Sequence, residues 1–138
     1  MNYFEIRNNI ILLKPYLERC YSIYSKFNVA SMLVFKTQTK FKLDLKYYGV
    51  NVENCSFSLT TCAEKNCITN AITDNANLKE AKYMIVLTNT AKKITPCGSC
   101  RQVLSEFFDK DFMIYTIGTN NIIYPYKLGD ILPHSFDK

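Results

Sequence analysis

Apolar positions Ile6, Ile10, Leu13 and Leu17 recur at three- and four-residue steps and predict a helix over residues 2–20, which Pro15 should kink or restart. Residues 21–27 form a polar and aromatic connector. Val29–Phe35 is an apolar run of strand length. After Thr37, Gln38, Thr39 and Lys40, the residues Phe41, Leu43, Leu45 and Tyr47 alternate with Lys42, Asp44, Lys46 and Tyr48, so the two segments are expected to pair as a hairpin. Further on, helices are predicted over residues 61–76 and 99–108, and strands over 83–88, 112–117 and 122–126. The tail, residues 127–138, reads as one helical turn ended by Pro133. A hairpin followed by alternating strands and helices predicts a three-layer α/β/α domain around a mixed five-stranded sheet.

Composition narrows this picture without redrawing it. A chain of 138 residues is expected to be one domain, and 48% apolar residues suffice for a core without disulfide staples. The net charge of +5 comes mostly from Lys spread along the chain, which reads as solvation rather than a nucleic-acid-binding stripe. No apolar run reaches the roughly 18 residues of a membrane span, and the N-terminus lacks the pattern of a secretion signal. A cytoplasmic location is therefore expected, and the six cysteines are expected to be metal ligands, a reactive thiol or small core residues.

Two short segments carry chemistry. Thr61-Cys62-Ala63-Glu64 opens one predicted helix, and Pro96-Cys97-Gly98-Ser99-Cys100 opens the next. Cys97 and Cys100, three apart on a first helical turn, turn their sulfurs to one face, the usual way two metal ligands are supplied. Cys62 can add a third if the two helices flank adjacent strand ends. Three cysteines leave one position of a tetrahedral Zn2+ open, which favours catalysis over a closed structural site. The alternatives are a redox C-x-x-C pair and a four-ligand structural site completed by Cys55 or Cys67. Thr61 and Glu64 also have the spacing of a capping box, in which Glu64 would reach back over the helix start. Such a Glu also points towards a metal held by Cys62, so Glu64 is a general-base candidate. Cys20 and Cys67 fit no motif and read as buried small hydrophobes.

Cys62-Ala63-Glu64 followed by Pro96-Cys97-Gly98-Ser99-Cys100-Arg101-Gln102 resembles the zinc-dependent cytidine deaminases, specifically their small homotetrameric three-cysteine class. The likeness extends through Tyr24-Ser25-Lys26-Phe27, Asn51-Val52-Glu53-Asn54 and Leu132-Pro133-His134-Ser135-Phe136, covering nearly the whole chain. It implies one Zn2+ per subunit on Cys62, Cys97 and Cys100, with activated water attacking C4 of cytosine in cytidine or deoxycytidine and Glu64 moving the protons. It further implies that Phe27 packs on the nucleoside, that Asn51 and Glu53 bind ribose hydroxyls, and that Ala63 offers backbone groups to the base. Cys55, Phe57 and Phe136 would approach the pocket across subunit interfaces of a homotetramer. Phe57 stands where many relatives carry Tyr, and Lys65 where many carry Arg. Lys65 keeps the charge beside the thiolates without a planar fork, and Arg101 is expected to help neutralise the cluster. The lone histidine, His134, rules out a His-x-Glu arrangement at position 62 and directs the expectation to free nucleosides in pyrimidine salvage. A blasticidin-type deaminase is the nearest alternative activity, and a non-catalytic zinc module binding nucleic acid a more distant one.

Overall fold

A computed structural model describes residues 2–36 and 45–137. Helix α1 (Tyr3–Leu13) starts at Asn2, whose side chain accepts the Glu5 backbone N–H at 3.2 Å. Pro15 does restart the chain: it is the second residue of a 3-10 segment, Lys14–Arg19, where the N–H that proline lacks would have no partner within that segment. Strand β1 (Val29–Phe35) pairs antiparallel with β2 (Lys46–Val50), giving the expected pairing, while residues 37–44 of the expected hairpin lie outside those described. Next come α2 (Ala63–Thr73), β3 (Ala81–Thr88), α3 (Gly98–Phe107), β4 (Met113–Ile117), β5 (Ile123–Lys127) and the short α4 (Leu128–Ile131).

The five strands form one mixed sheet in the order β2-β1-β3-β4-β5, with β3 and β4 parallel and the other pairs antiparallel. Every residue of β1 is buried because both faces of the sheet are covered. Ala30, Met32 and Val34 point to α1, where they meet Ile6, Ile10 and Leu13. Val29, Leu33 and Phe35 point the other way and pack with Ala63, Cys67, Ile68, Ala71 and Leu104 of α2 and α3. This is the three-layer α/β/α arrangement expected from the alternating pattern.

The topology fixes where a site can form. β2 and β3 both run antiparallel to β1, which lies between them, so their C-terminal ends and the N-terminal end of β1 share one edge of the sheet. Helices α2 and α3 start at that edge. Ligand sites of open α/β sheets form outside strand C-termini for the same reason: helix starts and loops converge there.

α2 lies very close to β2, and Gly49 permits it. A Cβ at Gly49 would sit 2.2 Å from the Ala63 carbonyl oxygen and 2.4 Å from the Cys67 backbone nitrogen. Side chains of α2 then cap β2 carbonyls, Asn66 on Val50 at 2.8 Å and Asn70 on Tyr48 at 2.7 Å. The Ser31 hydroxyl, fully buried, donates to the Ala63 oxygen at 2.8 Å and ties the first turn of α2 to β1.

Candidate metal centre and substrate cleft

Cys62 and Cys97 are the residues immediately preceding α2 and α3, and Cys100 lies in the first turn of α3. The sulfurs of Cys62, Cys97 and Cys100 lie within 4.8 Å of one another, with Cys62 to Cys97 at 3.7 Å and Cys97 to Cys100 at 3.2 Å. A tetrahedral Zn2+ with bonds of about 2.3 Å requires sulfurs about 3.8 Å apart, so the donor set fits zinc. Cys67 is buried under α2 with its thiol on the Tyr47 carbonyl, and Cys55 is exposed beside Asn54, so neither joins the cluster.

The three thiols share charge unevenly. Cys62 is pulled down to about 6, first because the Cys100 thiol bonds to it and then by Cys97 and the Lys65 ammonium, against the opposing effect of burial. Cys100 is pushed upward because losing its proton would forfeit that bond in a buried place. A divalent cation removes this competition by compensating several thiolates together.

Glu64 stands at the second position of α2 with its carboxyl buried in the cleft beside the cluster. Burial pushes its pKa up to about 7, and the negative charge on Cys62 adds to the rise. The capping box expected from Thr61 does not form. Thr61 exchanges both backbone hydrogen bonds with Val52, at 2.9 Å each, which leaves Cys62 as the cap residue and Glu64 one position too early to reach back.

Ser25, Phe27, Asn51, Glu53, Ala63, Thr60, Ile94 and Thr95 line a cleft of about 340 Å3 together with Cys62, Glu64 and Cys97. Phe27, at 37% exposure, forms part of its wall. The Asn51 amide accepts the Val29 N–H at 3.0 Å and donates to the Phe27 carbonyl at 2.8 Å, so it holds the entry to β1 as well as facing the cleft. Glu53 is buried, and its carboxyl is held below its ordinary pKa, first by the Ser25 hydroxyl and then by the Ser25 and Tyr24 N–H groups, against a desolvation cost. Ala63 brings backbone to the cleft wall, although Ser31 already occupies its carbonyl.

Other expected residues stand elsewhere. Cys55, Phe57 and Phe136 lie outside the cleft of their own chain, with the Phe57 and Phe136 rings 64% and 83% exposed. Gln102 grips the Phe136 backbone through both amide groups, at 3.0 Å each, and leaves the ring outward. Arg101 is engaged by the loop before Cys97 and by the end of α4. Its guanidinium bonds the Pro96 carbonyl at 2.7 Å, the Ile131 carbonyl at 2.8 Å and the Thr95 hydroxyl at 2.6 Å, so its planar fork clamps the loop before Cys97 to the end of α4. Lys65 follows Glu64 in α2, where its charge is the smallest of the influences that lower Cys62 and Glu64. Cys20 is half-buried rather than buried, its thiol on the Val29 carbonyl at 3.2 Å. Gly49 and Ser31 had no local signal to mark them, because each is defined by a partner distant in sequence, and Ser25 stood in a segment of the resemblance without a role of its own.

An α/β/α sandwich with three cysteine thiols and a buried carboxyl at two helix starts defines a zinc hydrolase site of the nucleoside deaminase type. The profile of the cytidine and deoxycytidylate deaminase zinc-binding region matches residues 11–116, and the chain belongs to that family. Its cytidine deaminases are zinc-dependent hydrolases. The chain is 32% identical over 134 residues to a cytidine deaminase of Sporosarcina psychrophila, covering 97% of this chain and 93% of that protein. It is also 32% identical over 127 residues to a cytidine deaminase of Mycoplasma genitalium, covering 91% of each. The crystal structure of a cytidine deaminase from Burkholderia pseudomallei superposes with a TM-score of 0.83 at 29% identity, over 99% of this chain and 100% of that one. Among the described residues no helix is long and apolar enough to cross a membrane.

Proposed function

We propose that this protein hydrolyses cytidine and deoxycytidine to the corresponding uridines with release of ammonia. The observation that carries the reading is the buried Glu64 carboxyl in a cleft whose inner end is the Cys62, Cys97 and Cys100 cluster. Cys62, Cys97 and Cys100 would hold Zn2+, which would supply Lewis-acid activation of water for addition at C4 of the cytosine ring. Glu64 takes one proton from the attacking water and gives it to ring N3, then takes a second from the hydroxyl added at C4 and gives it to the amino group, so that the C4–N bond breaks as the carbonyl forms and ammonia leaves. A carboxyl with a pKa near neutrality is suited to both directions of transfer.

Ala63 and Phe27 orient the base, the first through backbone groups and the second by ring contact. Asn51 retains one amide N–H and Glu53 one acceptor position for the sugar hydroxyls. Cys55, Phe57 and Phe136 complete the pocket of a neighbouring subunit in a homotetramer. What supports that part is the exposure of the Phe57 and Phe136 rings and the apolar outer face of α1, where Phe4, Ile11 and Leu12 are 76%, 63% and 51% exposed. A thiolate centre suits the reducing conditions of the cytoplasm, and pyrimidine salvage is the corresponding role.

Near-ultraviolet absorbance of cytidine mixed with purified protein tests the reading. Absorbance should fall as uridine and ammonia form, and the fall should stop in a chelator-treated sample and resume when Zn2+ is restored. Zinc-loaded protein that leaves cytidine unchanged but converts blasticidin would overturn the nucleoside assignment. Light scattering tests the assembly, and an active monomer would refute the shared pocket.

A further inference from the structure

One hydroxyl organises the polar end of the cleft. Ser25 Oγ donates to Glu53 Oε2, while the Ser25 and Tyr24 backbone N–H groups donate to Oε1 at 3.1 and 3.2 Å. The same Ser25 oxygen accepts the Phe27 N–H at 3.0 Å, and the Phe27 carbonyl accepts from Asn51 at 2.8 Å. Glu53, Phe27 and Asn51, all on the cleft wall, are thus joined into a single chain of hydrogen bonds with Ser25 at its centre.

A carboxylate offers about four lone-pair positions. The loop takes two on Oε1 and one on Oε2, so about one acceptor position of Glu53 is left for a ligand. Ser25 has a single hydroxyl proton, already given to Glu53, so it has no donor left for a substrate while that bond holds. The connector itself is rigidly placed. Lys26 has φ of 58°, a left-handed conformation, and Asn89 holds it from the end of β3 through the Lys26 carbonyl at 2.9 Å and the Asn28 N–H at 3.0 Å.

We propose that Ser25 is a positioning residue for the sugar end of the substrate: it fixes the Glu53 carboxylate and the Phe27 backbone together, so that the acceptor position left on Glu53 meets a sugar hydroxyl. This rests on the nucleoside reading given above. Without the Ser25 hydroxyl, Oε2 loses its donor and the carboxylate is held through Oε1 alone, the Phe27 N–H loses its partner, and both cleft-wall residues must be further ordered by each substrate molecule as it binds. That cost falls on binding, since neither group reaches the reacting carbon.

Steady-state kinetics on cytidine test this with Ser25→Ala, Ser25→Thr, Glu53→Gln and the Ser25→Ala/Glu53→Gln pair, alongside thermal melts. Ser25→Ala should raise KM about tenfold with a much smaller change in kcat. Ser25→Thr, which restores a hydroxyl, should recover most of the loss. The double variant should be little worse than Glu53→Gln alone, because Ser25 acts through that carboxylate. The inference is overturned if Ser25→Ala lowers the melting temperature without changing KM, if Ser25→Thr is as impaired as Ser25→Ala, or if the two substitutions are additive. An unchanged KM in Glu53→Gln would instead overturn the underlying placement of the sugar.

Discussion

Replacing Gly49 by Ala perturbs the site from behind, through the backbone of Ala63 and Cys67 rather than through any side chain that faces the cleft. The added methyl group would lie 2.2 Å from the Ala63 oxygen, 2.4 Å from the Cys67 nitrogen and 2.9 Å from the Cys67 Cα, all backbone atoms that no side-chain rotation can move away. Ordinary contact begins at 3.4 Å, so α2 must withdraw from β2 by about 1 Å. The shift strains the Asn66 and Asn70 caps and the Ser31 bond, and overpacking of this kind costs about 3 kcal/mol, the upper part of the usual range. With an unfolding entropy of roughly 0.3 kcal/mol/K for a chain of this size, the melting temperature should fall by about 10 °C. Because Cys62 and Glu64 sit at the start of the displaced helix, kcat should fall with it, by up to about a hundredfold for a misplacement near 1 Å. Calorimetry and cytidine turnover on the same preparations measure both effects. A Gly49→Ala protein with an unchanged melting temperature and full turnover would refute the argument that α2 is held at its closest approach.

Other perturbations separate holding from chemistry. Asn51→Ala strips the Val29 N–H and Phe27 carbonyl of their partners at a buried position and should cost about 2–4 kcal/mol in urea unfolding, whereas Asn51→Asp, which keeps the acceptor for Val29, should cost less. Arg101→Lys keeps the charge but loses the three-way fork, so chelator competition should show zinc affinity about tenfold weaker; unchanged affinity would return Arg101 to a purely electrostatic role. Tyr47 donates to Asp74, a bond that pushes its pKa up to about 12. The folded state therefore holds that proton more tightly than the unfolded chain, so its stabilising effect is complete below about pH 10 and is lost as pH rises towards 12. Tyr47→Phe should flatten the fall in melting temperature across that window, and an unaltered slope would rule the bond out as its cause.

The parts of the fold that could be read in advance are those set by local pattern. The unbroken apolar run of β1 announced a strand, and Pro15 announced a kink or restart in the first helix, which ends at Leu13 and continues as a 3-10 segment. Cys97 and Cys100 could be paired before any geometry was known because residues three apart on a helix share a face. The third ligand followed only from the alternating topology, which brings two helix starts to one sheet edge. Local pattern misled where a distant partner outbid it. Thr61 has the chemistry of a cap but spends its backbone on Val52, so the cap passes to Cys62. Arg101 carries charge next to Cys100, but local sequence did not show that its guanidinium also holds two carbonyls and a hydroxyl in the loop and α4. Gly49, Ser31 and Ser25 look ordinary in a strand or loop, and only the approach of α2 and Glu53 gives them their roles.

The central claim is that three thiols hold one zinc and that Glu64 handles the protons beside it. Zinc content and cytidine turnover, measured together on wild type, Cys62→Ser and Glu64→Gln, test it most directly. The expected result is one zinc per chain and turnover in wild type, loss of both in Cys62→Ser, and retained zinc with turnover reduced by about 10²–10⁴-fold in Glu64→Gln. Wild-type turnover in zinc-loaded Glu64→Gln, or full zinc content and activity in Cys62→Ser, would contradict the account.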